Sequence, residues 1–191
     1  RKEVDYRLAL TQQHLKDLFY QIFNTADGAV IMSDTNSVQP LKGEVHLKQI
    51  LSNLCDETYF KGFSLWNELL NRRELTSQGA KARRELIHHM LTHQGEETLG
   101  IQGYGPERSM FESLLFQTGL YRQNQDEEWY FTEPKSGIFT VWKAMQEFCL
   151  GAQNQPRSIQ ELFTCLQRPP YGAKLSPLPV LLAAILLQYH D

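Results

Sequence analysis

Three side chains of one predicted helix have the residue types and spacing of a metal site. Glu85, His89 and His93 recur every four residues, which places them on one helical face. Two histidines at this spacing fit zinc geometry, but the sequence offers no clear third partner and lacks the H-E-x-x-H pattern with its own base. We therefore predict an exposed polar helix face and no metal, and keep a metal-dependent enzyme as an alternative.

The other reactive groups do not form a catalytic pattern. Cys55, Cys149 and Cys165 are far apart and lie on apolar helical stripes, so we expect them to be buried structural residues. The glycines of residues 100–105 precede a helix but lack the G-K-[ST] ending that a phosphate-binding loop requires. No Ser-His-Asp arrangement is visible. The sequence predicts a chain that is not an enzyme and has no cofactor of its own.

Charge is more informative, because it is distributed unevenly. The 19 Lys and Arg residues against 22 Asp and Glu residues give a net charge of −3, which excludes a globally basic nucleic-acid-binding protein. Residues 72–93 are basic, whereas residues 95–134 carry eight carboxylates against two arginines. The basic side chains would contact a DNA backbone, or pair with the acidic segment or another domain. The DNA-binding candidates are Arg72, Arg73, Lys81, Arg83 and Arg84.

The elements that must position these residues are mainly helices. Residues 44–57 carry a core-facing apolar stripe, Ser64 is a candidate N-cap, and Pro106 has the place of a first helical position. Residues 120–122 and 129–132 read as the two strands of a hairpin. Apolar spacing and stop signals predict the remaining helices over 3–23 and 77–93 and from 106, 138, 158 and 177.

This order predicts a mainly α fold with a small β-hairpin: a helical bundle plus a winged-helix-like (helix-turn-helix) subdomain. We divide the chain into a helical subdomain at residues 1–95 and a winged-helix-like subdomain at residues 100–191. The two are expected to share one core, since no flexible linker separates them. The hairpin tip, residues 123–128, is acidic and would repel a DNA backbone.

Three further features of the sequence predict where the protein is located and whether the chain is part of a longer one. The apolar run of residues 178–187 has about half the length that a bilayer requires, so we predict no membrane contact. Three scattered cysteines indicate a reducing compartment, the cytoplasm. The chain begins at Arg1 without a signal sequence, and we expect it to be a piece of a longer protein.

Several stretches carry a family resemblance, in the order in which they occur: residues 67–72, 75–77, 82–86, 99–107, 118–121, 170–172 and 179–184. Together they resemble a block of very large prokaryotic P-loop ATPases from BREX-type and related phage-defence gene clusters, where the block lies downstream of the nucleotide-binding motor. The resemblance implies a cytoplasmic bacterial protein that binds ATP elsewhere in its full-length chain. It also implies a role in recognising or processing foreign DNA.

Some residues of this block are candidates for contact with a partner. Asn67, Glu68, Asn71 and Arg72 match it, and we expect them to form hydrogen bonds at a domain junction; helix capping and surface pairing are the alternative. Two residues at the start of a predicted helix complete the set, Pro106 and Glu107.

The leading hypothesis is a non-catalytic interaction module that couples the P-loop motor of its own chain to double-stranded DNA or to other defence proteins. One alternative is a winged-helix domain that binds the DNA backbone through the basic residues 72–84. The other is the metal-dependent enzyme built on Glu85, His89 and His93.

Overall fold

The computed structural model describes residues 2–23, 30–32, 38–40, 43–72, 74–135, 137–153 and 155–189. Within these ranges the chain forms eight α-helices and two antiparallel pairs of strands. The predicted mainly helical class with a small β component is confirmed. The chain divides into two compact units, residues 1–57 and residues 58–191. The division that we predicted from the sequence, at residues 95–100, falls inside the second unit.

The first unit contains two helices and a short hairpin. Helix α1 is Lys2–Phe23, helix α2 is Glu44–Thr58, and strand β1 (Val30–Met32) pairs with β2 (Val38–Pro40). Both helices were expected, but the expectation that α2 faces a core is wrong, because none of its residues is buried. The side chains of α1 from residue 3 to residue 21 are exposed as well. The described part of this unit therefore has no hydrophobic core.

The second unit contains the other helices and the second hairpin. Strands β3 and β4 are antiparallel and place Tyr121 opposite Phe131. A 3₁₀ turn, Glu97–Gly100, follows α4, and a π-helical turn, Glu112–Phe116, continues α5. The elements are α3 (Glu68–Asn71), α4 (Ser77–Thr92), α5 (Pro106–Phe111), β3 (Tyr121–Gln123), β4 (Trp129–Phe131), α6 (Phe139–Gly151), α7 (Ile159–Gln167) and α8 (Leu178–Gln188).

One hydrophobic core holds the second unit together. Helix α4 packs against α5 and α8, and α8 also contacts α6 and β4. The buried positions of α4 are three or four residues apart, as a helix with one core-facing side requires: Gly79, Ala82, Leu86 and Met90. Helix α8 is buried along most of its length, as its apolar sequence predicts. The largest side chains of the core are Trp142, Tyr121 and Phe111.

Local signals explain where the helices of this unit begin. Asn67 caps α3, three residues after the predicted Ser64, because its side-chain oxygen accepts hydrogen bonds from the first turn. Thr76 caps α4 in the same way, and Pro106 is the first residue of α5, as predicted. No helix in the described ranges combines the length and apolar character that crossing a membrane requires.

The turn after α4 contains unusual backbone conformations. Thr98 and Leu99 have φ of 54° and 55°, in the left-handed region that side chains with a Cβ rarely adopt. Gly100 and Gly103, with φ of 65° and 76°, occupy the same region without a steric cost. Leu99 is fully buried, so its packing in the core holds the turn in place.

Candidate functional site

The Asn67 side chain connects α3 to the π-helical turn that follows α5. Its Oδ1 accepts hydrogen bonds from the backbone N–H groups of Leu69 (3.0 Å) and Leu70 (3.3 Å). Its Nδ2 donates to the Ser109 carbonyl oxygen (3.1 Å) and to the Ser113 Oγ (2.9 Å). The Ser113 hydroxyl donates in turn to the Ser109 carbonyl oxygen. Asn67 is only 7% exposed, so this amide both caps a helix and joins two elements of the second unit.

The other partner-contact candidates surround this connection. Asn71 Nδ2 donates to the Leu65 carbonyl oxygen at 2.6 Å and closes the loop before α3. Glu68 and Arg72 are exposed at the two ends of α3. Pro106 and Glu107 occupy the first turn of α5. Asn67 contacts this helix at the Ser109 carbonyl oxygen. The structure therefore brings the candidates at α3 and the two candidates at the start of α5 to one region of the second unit.

The side chains considered for the alternative metal site are half-buried and not exposed as predicted, and each has another partner. His89 Nδ1 lies 2.9 Å from the carbonyl oxygen of the buried Leu99. The His93 ring is 5.1 Å from the His89 ring, centroid to centroid, and its Nδ1 lies 2.7 Å from the Thr92 hydroxyl. Glu85 pairs with Lys81 at 3.5 Å. Over the described ranges, no three His, Cys, Asp or Glu side chains are arranged to hold a metal ion.

The cysteines differ from the expectation. Cys55 and Cys165 are exposed, so the prediction that they are buried is wrong for both. Helix α2 has no buried residue, and α7 turns Leu162 and Leu166 toward the core and Cys165 toward solvent. Cys149 is half-buried, and burial raises the pKa of its thiol.

The basic residues of the 72–84 segment do not form one continuous face. Arg83 is half-buried, and its Nη1 donates to the Ser176 carbonyl oxygen at 3.4 Å. Burial, together with the neighbouring charge of Arg84, lowers the pKa of Arg83. Lys81 points to Glu85, whereas Arg72 and Arg84 are exposed. Arg73 lies outside the described residues.

A groove beside α3 has one basic residue in its lining and others on the chain segments that form it. It has a volume of about 160 Å³, and Lys174 lies in its wall. The Lys61 N–H donates to the Pro170 carbonyl oxygen at 3.0 Å, two residues before the lining Gly172. We call this the basic groove; its lining residues are Phe63, Ser64, Leu65, Leu70, Asn71, Gly172, Lys174 and Pro177.

Sequence reasoning did not count Lys61 and Lys174 among the DNA-binding candidates, because they are far apart along the chain. The signal that would have indicated the groove is the segment 59–66, in which four aromatic residues accompany one lysine. Aromatic and basic residues that alternate are typical of surfaces that bind single-stranded nucleic acids.

Comparison with known proteins gives no family. No family model, curated protein or solved structure matches this chain. The resemblance to the defence ATPases stays a prediction, and the function has to be argued from the geometry.

The tip of the β3–β4 hairpin keeps the acidic character seen in the sequence. Asn124 Oδ1 accepts hydrogen bonds from the backbone N–H groups of Asp126 (2.8 Å) and Glu128 (2.9 Å). These bonds shape the tip and leave Asp126, Glu127 and Glu128 exposed. Three exposed carboxylates oppose contact with a phosphate backbone at this place.

Proposed function

We propose that this chain is a non-catalytic interaction module of a larger P-loop ATPase, which links the motor to DNA or protein partners. The observation that carries the proposal is the contrast between the two units. The second unit has a core of its own, whereas α1 and α2 have no buried side chain in the part of the first unit that the structure describes.

The apolar side chains of α1 support an interaction role. Leu8, Leu15 and Leu18 are exposed, and Leu15 retains 67% of its accessible surface. They follow the helical spacing that buries one side of a helix against a partner. Each square ångström of apolar surface removed from water contributes about 25 cal/mol, so covering this side would favour association. Exposed apolar patches mark interaction sites.

We also propose the winged-helix-like arrangement for α4, α5 and the β3–β4 hairpin. The chain order of helices followed by a hairpin supports it, as does the packing of α4 on α5 and of β4 on α8. The acidic tip favours contact with partners through the helices instead of the hairpin.

Direct contact with a DNA backbone is the second candidate function. The exposure of Arg72 and Arg84 favours it, since neither is in an ion pair within the described part of the chain. Phosphate contacts of exposed guanidinium groups give affinity that falls steeply with salt.

The coupling proposal is tested in the longer chain that it implies. We expect Leu15→Ser/Leu18→Ser to alter ATP turnover or its response to a partner, with no change in the melting of the second unit. Gln12→Ser/Gln13→Ser changes exposed polar residues of the same helix and should alter neither. Unchanged turnover and partner binding in the leucine variant, or a flanking sequence without a P-loop, would overturn the proposal.

The DNA alternative has its own assay. Binding of duplex DNA at low salt should weaken in Arg72→Ala/Arg84→Ala, with a shallower dependence of the affinity on salt. Absence of binding, or equal binding by this variant, would exclude backbone contact through these residues.

A further inference from the structure

We propose that the basic groove binds a single-stranded nucleic acid, with phosphates against Lys61, Lys174 and Arg72 and bases stacked on the exposed rings beside them. This goes beyond the proposed function, because it names a ligand class and a site that require neither the motor nor the first unit.

The walls of the groove are held in place by hydrogen bonds. We call two chain segments its walls, residues 59–65 and residues 168–177, of which residues 63–65, 172, 174 and 177 line the groove. The Lys61 N–H donates to the Pro170 carbonyl oxygen (3.0 Å), and the Thr140 hydroxyl donates to the Lys61 carbonyl oxygen (2.9 Å). Asn71 Nδ2 fixes the Leu65 carbonyl oxygen at 2.6 Å. A ligand would therefore meet a surface that needs little ordering on binding.

Positive charge accumulates around the groove. The two walls carry Lys61, Arg168 and Lys174 and no carboxylate. Arg72 follows Asn71, which lines the groove, and Arg83 donates to Ser176, the neighbour of the lining Pro177. In the described ranges none of these five cations is in an ion pair.

The lining of the groove contains no acidic residue, although the exposed Asp56 and Glu57 precede one wall along the chain. Glu68 lies in the first turn of α3, Glu74 follows it, and both are exposed to solvent. Burial is the main cause of the lowered pKa of Arg83, and the neighbouring charge of Arg84 lowers it further. A bound anion would relieve this repulsion.

Exposed aromatic side chains in and beside the wall at residues 59–65 favour a ligand that carries bases as well as phosphates. Trp66 is 95% exposed and Phe60 is 69% exposed, while Phe63 lines the groove. The Lys61 Nζ lies 5.9 Å from the centroid of the Phe60 ring and 5.6 Å from that of the Tyr171 ring. Stacking of a base on such a ring contributes about 1–3 kcal/mol and tolerates any base sequence.

The size and chemistry of the groove favour a single strand over other anions. At about 160 Å³ it is smaller than an ordinary small-molecule pocket, so it would not enclose a small anion and its charged surroundings would have to supply most of the contacts. The bases of a duplex are stacked within the helix and do not reach Phe60 or Trp66. The carboxylates of an acidic peptide would pair with the cations, but they would not stack on the exposed rings.

The test measures fluorescence anisotropy of a labelled oligo(dT) of about 12 nucleotides, a length in the range that one such site covers. We expect Lys61→Ala/Lys174→Ala to lower the affinity at low salt about tenfold or more. The slope of log affinity against log salt should become shallower by about 1.4, since each lost phosphate contact removes about 0.7. Trp66→Ala should lower the affinity about fivefold or more.

A matched control removes the same charge elsewhere. Lys16→Ala/Lys135→Ala changes one exposed lysine on α1 and one beside the β3–β4 hairpin, and should leave both affinity and slope unchanged. Melting curves compare the folding of the variants. If Lys61→Ala disturbs the fold, Arg72→Ala/Lys174→Ala makes the same test with exposed residues only.

Three outcomes would overturn the proposal. The first is no binding of oligo(dT) at low salt, or equal binding by the groove variant and its control. The second is tighter binding of a duplex of equal length. The third is competition by polyglutamate as effective as that by oligo(dT), which would assign the groove to an acidic protein segment. These assays use the 191-residue chain alone, so a negative result would not affect the coupling proposal. In the same way, unchanged ATP turnover in the longer chain would not affect the proposal for the basic groove.

Discussion

At the scale of single residues, Asn67 combines two kinds of hydrogen bond in one buried amide. Asn67→Ala removes the cap of α3 and leaves Ser113 without its donor, so we expect a loss of about 2 kcal/mol in the free energy of unfolding. Asn67→Ser keeps a capping oxygen and removes the donor, and its loss should be smaller. Urea unfolding measures both variants. Equal losses would show that the cap contributes nothing.

The hydroxyl of Tyr121 gives a prediction about pH. It accepts from the Gly95 N–H (3.1 Å) and donates to the Glu96 carbonyl oxygen (2.8 Å), and burial raises the pKa of Tyr121 from 10.0 to about 12. Between these values the unfolded state has lost the proton and the folded state still holds it. The free energy of unfolding should therefore fall as pH rises from about 10 to 12.

The variant Tyr121→Phe isolates this contribution from the other groups that titrate at high pH. It should be less stable than the original chain at pH 8, by about 1 kcal/mol for the lost hydrogen bonds. The difference should shrink above pH 10. A constant difference across the range would contradict the assignment.

The candidate site shows what a sequence can and cannot predict about residues. Asn67 was singled out, but its partners Ser109 and Ser113 lie more than forty residues further on, and no local pattern indicates them. Lys61 and Pro170 are distant in sequence, and only the folded chain brings the Lys61 N–H to the Pro170 carbonyl oxygen. The repeat of Glu85, His89 and His93 does place them on one helix, where Glu85 and His93 find the local partners Lys81 and Thr92. The partner of His89 is the Leu99 carbonyl oxygen, which depends on how the turn after α4 folds back.

At the scale of elements, the turn after α4 stores backbone strain that one substitution would release. Thr98→Gly removes the Cβ at φ 54°, and we expect a gain of up to about 1 kcal/mol in the free energy of unfolding. Gly103→Ala should have the opposite sign. A Cβ there meets no atom within 4 Å, so its φ of 76° is the source of the cost. Thermal unfolding compares the two, and a loss in Thr98→Gly would contradict the strain.

Element boundaries were predicted well where the signal is local. Pro106 begins α5, Gly119 follows its last turn with φ of 77°, and residues on both sides of the acidic tip form the hairpin. The stripe of α2 was misleading for a physical reason. Its Leu47 to Leu54 spacing is that of an amphipathic helix, but amphipathic spacing does not say what the apolar side packs against.

At the scale of the whole molecule, the two units should differ in resistance to proteases. Cleavage requires local opening, and helices without buried side chains open at low cost. We expect trypsin to cut at Arg7, Lys16 and Lys48 before it cuts at Arg84 or Lys143, so that a fragment beginning at Gln49 accumulates. Mass spectrometry over a time course identifies the order. Simultaneous cleavage of both sets would contradict it.

The division of the chain is the part of the architecture that composition did not reveal. No stretch rich in glycine, proline or serine marks residue 57, where α2 ends one compact unit and the next begins. Hydrophobic spacing in 3–23 and 44–57 resembles that of the later helices. The difference appears only in burial, which depends on the neighbours that a folded chain provides.

The exposed cysteines give each of the two units one thiol that a reagent can reach. Cys55 lies in the first unit and Cys165 in the second, and both thiols are open to reagents. Cys149 should react more slowly, since its raised pKa leaves less thiolate at neutral pH. A donor and an acceptor dye on Cys55 and Cys165 of a Cys149→Ser variant would report through energy transfer whether nucleic acid at the basic groove changes the distance between the units.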